Sequence, residues 1–309
     1  GGLNRFVTGA AVRPAQHQGQ PSQRPAEPGP VLRCGRFVLP AHRPLIMGVA
    51  NATPDSFSDA GQFLCTKAVI DHALQLIDEG ADILDIGGES TRPGAQPVTE
   101  ADELARILPV LRACRDAAIP ISVDSMKPSV MRIALAEGAS MINDVNALRL
   151  PGAMQAVADS DCLLCLMHMQ GEPRSMQVDP RYDDVVSEVA QFLQQRAQAC
   201  VQSGIDSARI VLDPGFGFGK TLQHNLALLR GLEELLALGY PVLAGLSRKS
   251  MLGTLTGRPA AERLAGSVAA ALLAAQRGAT ILRVHDVAET RDAMAVWHAL
   301  EQSSSACTA

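Results

Sequence analysis

The residues best suited to chemistry in this chain stand where apolar runs stop. Asp124 and Asp213 close the segments ISVD and IVLD, Asn143 stands one residue before the end of MIND, and Lys249 follows PVLAGLSR. Burying such groups without partners costs several kcal/mol, roughly 2–7. Carboxylates and an amide accept and donate hydrogen bonds in one plane, which suits a flat heterocycle with amino and N–H edges. The competing account is a ring of salt bridges at the rim of a fold. A second set, Asn51, Arg92, Arg283 and His285, joins two guanidiniums, an imidazole and a polar amide. These suit a phosphate or diphosphate, with a metal held by oxygen ligands beside it. The competing account of His285 is a hydrogen-bonded core histidine. His168, in LMHMQ, reads as a hydrogen-bonding partner for its neighbours.

Three further stretches invite a chemical reading. DPGFGFGK (213–220) resembles a phosphate loop, but GxxxxGK[ST] needs Gly at 214, where this chain has Pro. The stretch reads instead as a pocket wall, with Phe216 and Phe218 at the site or packed on the rim. Cys162 and Cys165 form a CxxC inside an apolar strand pattern, DCLLCLM, which marks buried structural thiols. NATPDSFSDAG (51–61) is far longer than a turn requires, and such loops after buried strands are often functional.

Regular elements must position these residues. Apolar runs predict eight strands, at 45–51, 83–88, 120–125, 141–145, 163–168, 210–215, 241–247 and 281–286. They are nearly continuous, as in strands buried on both faces. EGADILDIGG, EGASMINDV and RGATILRVHD repeat one unit, with a Gly ending a helix just before a strand. Gly204 and Gly239 mark two more. Leu104, Ile107, Leu108 and Leu111 follow helical spacing, with Thr99 and Asp102 as a capping box and Pro109 as a predicted kink. Pro128 after Lys127 suits a first helical turn. Repeated β-then-α units over about 250 residues predict an α/β fold of the (β/α)8 TIM-barrel type. An open doubly wound sheet would need a Gly-rich turn after its first strand, where this chain has NATPDSFSD.

Composition narrows the function classes. Of 309 residues, 47% are hydrophobic and the net charge is −5, which offers no basic field for nucleic acid or anionic membrane. Aromatics are 3%, too few for base-stacking platforms. No apolar run reaches the ~18–20 residues of a membrane span. Seven cysteines without regular spacing indicate a reducing, cytoplasmic setting. Residues 1–31, rich in Pro, Gln and Gly, read as a disordered leader or tag remnant. The single barrel domain is expected over 32–302, with a tail at 303–309.

Taken together and in order, MGVANATPDSFSDAG, DIGGESTRPGA, VDSMKP, INDV, LMHMQG, DPGFGFGKT, GLSRKSMLG and RVHDV closely resemble the dihydropteroate synthase family. The likeness runs from about residue 32 to 300. It implies a transferase that joins 6-hydroxymethyl-7,8-dihydropterin diphosphate to p-aminobenzoate, with sulfonamides as competitors. It implies a pterin pocket from Asp124, Asn143, Met167, Asp213 and Lys249. Asn51, Arg283 and His285 would contact diphosphate, with Mg2+ at Asn51. Two loops would close over the site, one carrying Phe57 and Asp59, the other Thr91, Arg92 and Pro93. Phe218, Lys249 and Ser250 would border p-aminobenzoate. Asp59, Arg92, Lys249, Arg283 and His285 carry the catalytic expectation. A homodimer is implied, with helix 261–275 as a candidate face. The family usually reads NVTPDSFSDGG, where this chain has Ala52 and Ala60; Ala60 narrows the backbone freedom of the first loop. A pterin-binding methyltransferase and a non-catalytic pterin-binding paralogue are the alternatives.

Overall fold

A computed structural model of the chain describes residues 29–53 and 62–306. The expectations for residues 1–28 and for Phe57, Asp59 and Ala60 lie outside the described residues.

The chain opens with an antiparallel hairpin, β1 (Val31–Cys34) and β2 (Phe37–Pro40). Eight parallel strands follow: β3 (Leu45–Asn51), β4 (Ile83–Gly87), β5 (Ile121–Asp124), β6 (Met141–Asp144), β7 (Leu163–Met167), β8 (Ile210–Asp213), β9 (Leu243–Ala244) and β10 (Ile281–Val284). Between them lie α1 (Gln62–Asp78), α2 (Glu100–Cys114), α3 (Pro128–Ala136), α4 (Ala153–Ala158), α5 (Val185–Gln202), the pair α6 (Leu222–Arg230) and α7 (Leu232–Leu236), then α8 (Ser250–Thr256) and α9 (Leu264–Gln276). α10 (Val287–Ala306) comes last. Neighbouring strands pair in the order 8-7-6-5-4-3-10-9, and a bridge between Leu212 and Val242 closes the ring. The expected (β/α)8 barrel is what the chain forms.

The sequence accounts for most of these boundaries. Gly80, Gly138, Gly204, Gly239 and Gly278 all take positive φ at helix ends, as the repeated unit predicts. Thr99 caps α2 by accepting from the Asp102 N–H (3.1 Å). The reciprocal capping box occurs instead at Thr221 and His224. Pro128 opens α3 as expected. The helix at Pro109 does not break there; α2 runs on to Cys114. The seventh candidate strand, predicted over 241–247, shrinks to two residues.

Strand alternation divides the core in two. Outward residues such as Ile46, Leu84, Ile142 and Leu212 pack on the helices through Val69, Ile107, Leu111 and Leu193. Inward residues at the strand starts, Leu45, Ile83, Met141, Leu163, Val211 and Ile281, form a second cluster with Leu32, Cys34 and Leu39 of the hairpin. The hairpin is therefore a plug across the N-terminal mouth of the barrel. Gly35 makes its turn at φ +56°, where a Cβ would press on Ser140. Cys165 faces this inner core and Cys162 is equally buried, so the CxxC is structural as expected.

Candidate active site

Side chains two residues apart on a strand share a face. Two positions beyond the apolar plug layer, the inward faces turn polar. Asp85 follows Ile83, Asn143 follows Met141, Asp213 follows Val211, and Arg283 follows Ile281. Ser122 and Asp124 extend the layer from β5. All lie toward the C-terminal ends of the strands, where barrels of this type place their sites.

Arg283 is the hub of this layer. Its Nε donates to Asp85 Oδ2 (2.8 Å) and its Nη2 to Asp124 Oδ2 (3.4 Å). Asn143 Nδ2 also donates to Asp85 Oδ2, at 3.4 Å. Burial, with Asp85 beside it, pushes the Asp124 carboxyl well above the usual range against the pull of Arg283. Three buried polar atoms here lack a protein partner: Asp85 Oδ1, Ser122 Oγ and Asn143 Oδ1. Buried polar groups are nearly always satisfied, so orphans grouped on adjacent strands mark a place for a polar ligand or water.

Lys249 and Asp213 form the opposite wall. Burial raises the Asp213 carboxyl, while Lys249 and the Gly215 N–H, donating to Oδ1 at 2.8 Å, pull it down. Burial lowers Lys249 to about 8. Its Nζ donates to the Phe216 carbonyl and lies 4.9 Å from the Phe218 ring centroid. Phe218 packs with Met167, Met169, Met176 and Val145 as an apolar wall, whereas Phe216 is sealed in the outer core. Arg248, just before Lys249, takes φ +58°; its N–H bonds Ser267 Oγ and its guanidinium pairs with Asp286. Such a strained residue beside a polar wall suits a preorganised site. Ser250 opens α8, where it lines a 200 Å3 cavity with Gln177, Lys220 and Thr221.

His285 leaves the same rim. Its backbone N–H donates to Ser247 Oγ (3.2 Å), and the same oxygen lies 2.8 Å from Nδ1. With the hydroxyl donating to Nδ1, the imidazole proton sits on Nε2 and is free for a ligand. Burial, together with Arg283, Arg248 and Arg92, pushes the imidazole down to about 3, so it is neutral near pH 7. Arg92, Arg283 and His285 are thus close enough to act on one another electrostatically. Arg283, however, belongs to both sets and binds them into one site. Asn51 ends β3 in register with Gly87, and its amide lies next to the Asp124 strand.

The loop bearing Thr91, Arg92 and Pro93 is held by a buried triad. Lys127 Nζ donates to Glu89 Oε2 and to Glu103 Oε2, each at 2.6 Å, and Glu103 is fully buried. Glu89 Oε1 accepts from the Val98 N–H, tying the two ends of the loop together (3.3 Å). Thr91 borders a 670 Å3 cavity that opens from this loop toward Met169 and Arg174. Lys127→Met leaves two carboxylates facing each other. It is expected to cost about 3–5 kcal/mol in urea unfolding; a loss under 1 kcal/mol would mean the triad is not holding the fold.

Sequence reading passed over Asp85, because it attended to strand ends and Asp85 lies mid-strand. The signal was present: an acid in ILDIG on the parity that faces the barrel axis. Ser122 was missed in the same way.

The profile of the pterin binding enzyme family matches residues 47–285. The dihydropteroate synthase of Neisseria meningitidis serogroup C is 54% identical over 275 residues, covering 87% of this chain and 97% of that one. This chain is a member of the dihydropteroate synthase family of pterin-binding enzymes. Within that family, the Xanthomonas albilineans dihydropteroate synthase, solved with 4-aminobenzoic acid, is 54% identical with a TM-score of 0.84. The match covers 89% of this chain and 99% of that structure. The Yersinia pestis enzyme, solved as a sulfonamide drug complex, is 45% identical with a TM-score of 0.84, covering 88% and 99%. The family's barrel is therefore the fold of this chain.

Proposed function

We infer that the chain condenses 6-hydroxymethyl-7,8-dihydropterin diphosphate with p-aminobenzoate to give 7,8-dihydropteroate and diphosphate. The observation that carries the site assignment is the ring of orphaned and charge-coupled groups inside the barrel, in a chain about half identical to dihydropteroate synthases. Asp124, Asn143 and Asp213 offer acceptors and a donor to the edges of a pterin, with Met167 against its face. Lys249 lies beside Asp213 and reaches Phe218. Arg283 and neutral His285 supply donors for the diphosphate, and Arg92 adds a second cation from its loop.

The bond changes follow from these charges. The methylene C–O bond breaks and its electron pair leaves with the diphosphate, stabilised by Arg283 and His285 Nε2–H. The carboxylates of the polar layer favour the cationic pterin that remains. The neutral aniline nitrogen then forms the C–N bond and sheds its proton to bulk water, so no strong base is required. Phe218 and Ser250 border the arriving p-aminobenzoate.

Mg2+ fits this donor set as an ion carried largely by the substrate. Asn51 supplies a hard amide oxygen, while no cluster of three His, Cys, Asp or Glu able to hold a metal occurs among the described residues. Mg2+ is commonly held by one or two protein oxygens, phosphates and water. Bound at Asn51, it would neutralise charge on the leaving diphosphate.

Diphosphate release should require both p-aminobenzoate and Mg2+, and sulfonamides should compete with p-aminobenzoate alone. Tight pterin binding without any release would instead fit the non-catalytic paralogue. Cys34, Cys114, Cys162, Cys165 and Cys200 are buried thiols outside any disulfide, which suits a reducing compartment such as the cytoplasm. No helix among the described residues is long and apolar enough to cross a membrane. α9 and α10 expose Leu264, Leu273, Val296 and Leu300 and supply the face of a homodimer. Light scattering should show a dimer that Val296→Asp with Leu300→Asp splits; an unchanged mass would place the interface elsewhere.

A further inference from the structure

Lys220 is among the largest fully buried side chains, yet no carboxylate bonds its ammonium. Its Nζ donates to the Phe218 carbonyl (2.9 Å) and to His168 Nδ1 (2.9 Å). The charged ammonium can only donate, so in that state His168 Nδ1 accepts and the imidazole proton is on Nε2. Burial brings Lys220 to about 7 and His168 to about 3, so the imidazole is uncharged throughout the neutral range. A residue needed only to fill this space would be Met or Leu, which carry no desolvation cost.

The surrounding contacts show what the pair fastens. The loop after β8 lies against the loop after β7 with almost no gap. A Cβ at Gly215 would run into the His168 carbonyl, and one at Gly219 into the Gln170 carbonyl. Gln177 bonds the Lys220 backbone on both sides, its Oε1 accepting from N–H (3.0 Å) and its Nε2 donating to the carbonyl (3.1 Å). Tyr182 Oη donates to the Gly219 carbonyl (2.7 Å). The His168 ring packs edge-on against Phe192, 5.0 Å between centroids. The side of the loop facing the site carries the Phe216 carbonyl that Lys249 bonds, and the Phe218 ring beside Lys249.

We propose that Lys220 and His168 are positioning residues that set where Phe218 stands, and with it the width of the p-aminobenzoate end of the site. The proposal rests on the reading of Phe218 as a border of that substrate. The pair ties the Phe218 backbone to the residue that follows β7, while the polar side chains of the pterin layer, Asp85, Asp124, Asn143 and Asp213, bond neither Lys220 nor His168. Loosening it should therefore affect one substrate and spare the other.

The test is steady-state kinetics with each substrate varied, together with calorimetry of pterin diphosphate binding. Lys220→Met should raise the p-aminobenzoate KM about tenfold, the scale of one charge-assisted hydrogen bond. The kcat and the pterin Kd should stay within about twofold. His168→Phe keeps the ring packing, loses the acceptor, and should move the same constant. The double variant should be no worse than Lys220→Met alone, because the two act as one unit. Lys220→Gln retains an N–H donor and should recover part of the change; it also carries the test if the Met variant does not fold. An unmoved p-aminobenzoate KM, equal shifts for both substrates, or additive single effects would overturn the proposal. An unsubstituted enzyme that makes no dihydropteroate would overturn both the proposal and the reading beneath it.

Discussion

Arg283→Met should lower kcat/KM for diphosphate release by about a thousandfold, the usual scale for removing a donor aimed at developing negative charge. The same change strips Asp85 and Asp124 of their shared counterion, which breaking a buried pair prices at about 3–5 kcal/mol of stability. That loss should depend on pH in a definite direction. Burial and Asp85 already raise the Asp124 carboxyl, and losing Arg283 raises it further. A carboxyl whose folded pKa lies above its unfolded value contributes stability that is present at low pH and lost as pH rises. The variant should therefore be closest to wild type at the acid end of the range and furthest from it at the alkaline end, as measured by urea unfolding. A loss of activity under tenfold, or a stability loss independent of pH, would remove Arg283 from its central place.

Asp213→Asn separates binding from folding. The Asn side-chain oxygen can still accept from the Gly215 N–H, so the loop keeps its shape. What changes is the charge offered to the ligand, and an amide N–H2 replaces an acceptor. Hydrogen bonds to charged groups are worth about 1.5–3 kcal/mol, so pterin affinity should fall roughly ten- to a hundredfold by calorimetry. Burial disfavours the Asp213 carboxylate in the empty protein, so the variant should unfold at wild-type urea concentration or slightly above. Unchanged affinity would sink the pterin role of this residue.

Much of this site was legible because a parallel barrel makes sequence and space correspond. Each strand ends on the same face of the molecule, so Asn51, Asp124, Asn143, Asp213 and His285 could be collected by reading where aliphatic runs stop. The glycines before the strands were equally plain, because left-handed helix ends demand them. Three things were not legible, each for a physical reason. Asp85 is hidden mid-strand, where only parity against the barrel axis reveals it. The hairpin at VLRCGRFVLP is short and borders a Pro-rich stretch, so its alternation carried little weight until Leu32 and Leu39 were seen inside the barrel. Lys220 closes DPGFGFGK, a stretch legible only as a pocket wall, and only packing between two loops reveals that its ammonium is buried.

The hairpin plug also governs traffic. With the N-terminal mouth stopped by Leu32, Cys34 and Leu39, the barrel is a blind alley with one door. Whatever occupies the inner polar layer must pass the place where the second reactant will stand, and it cannot leave while that place is filled. The molecule destined for the bottom is obliged to arrive first. The joined product, which spans both positions, has to back out through the entrance it came by. Queueing order thus follows from a bottom sealed jointly by the hairpin and the inward apolar residues of the strand starts.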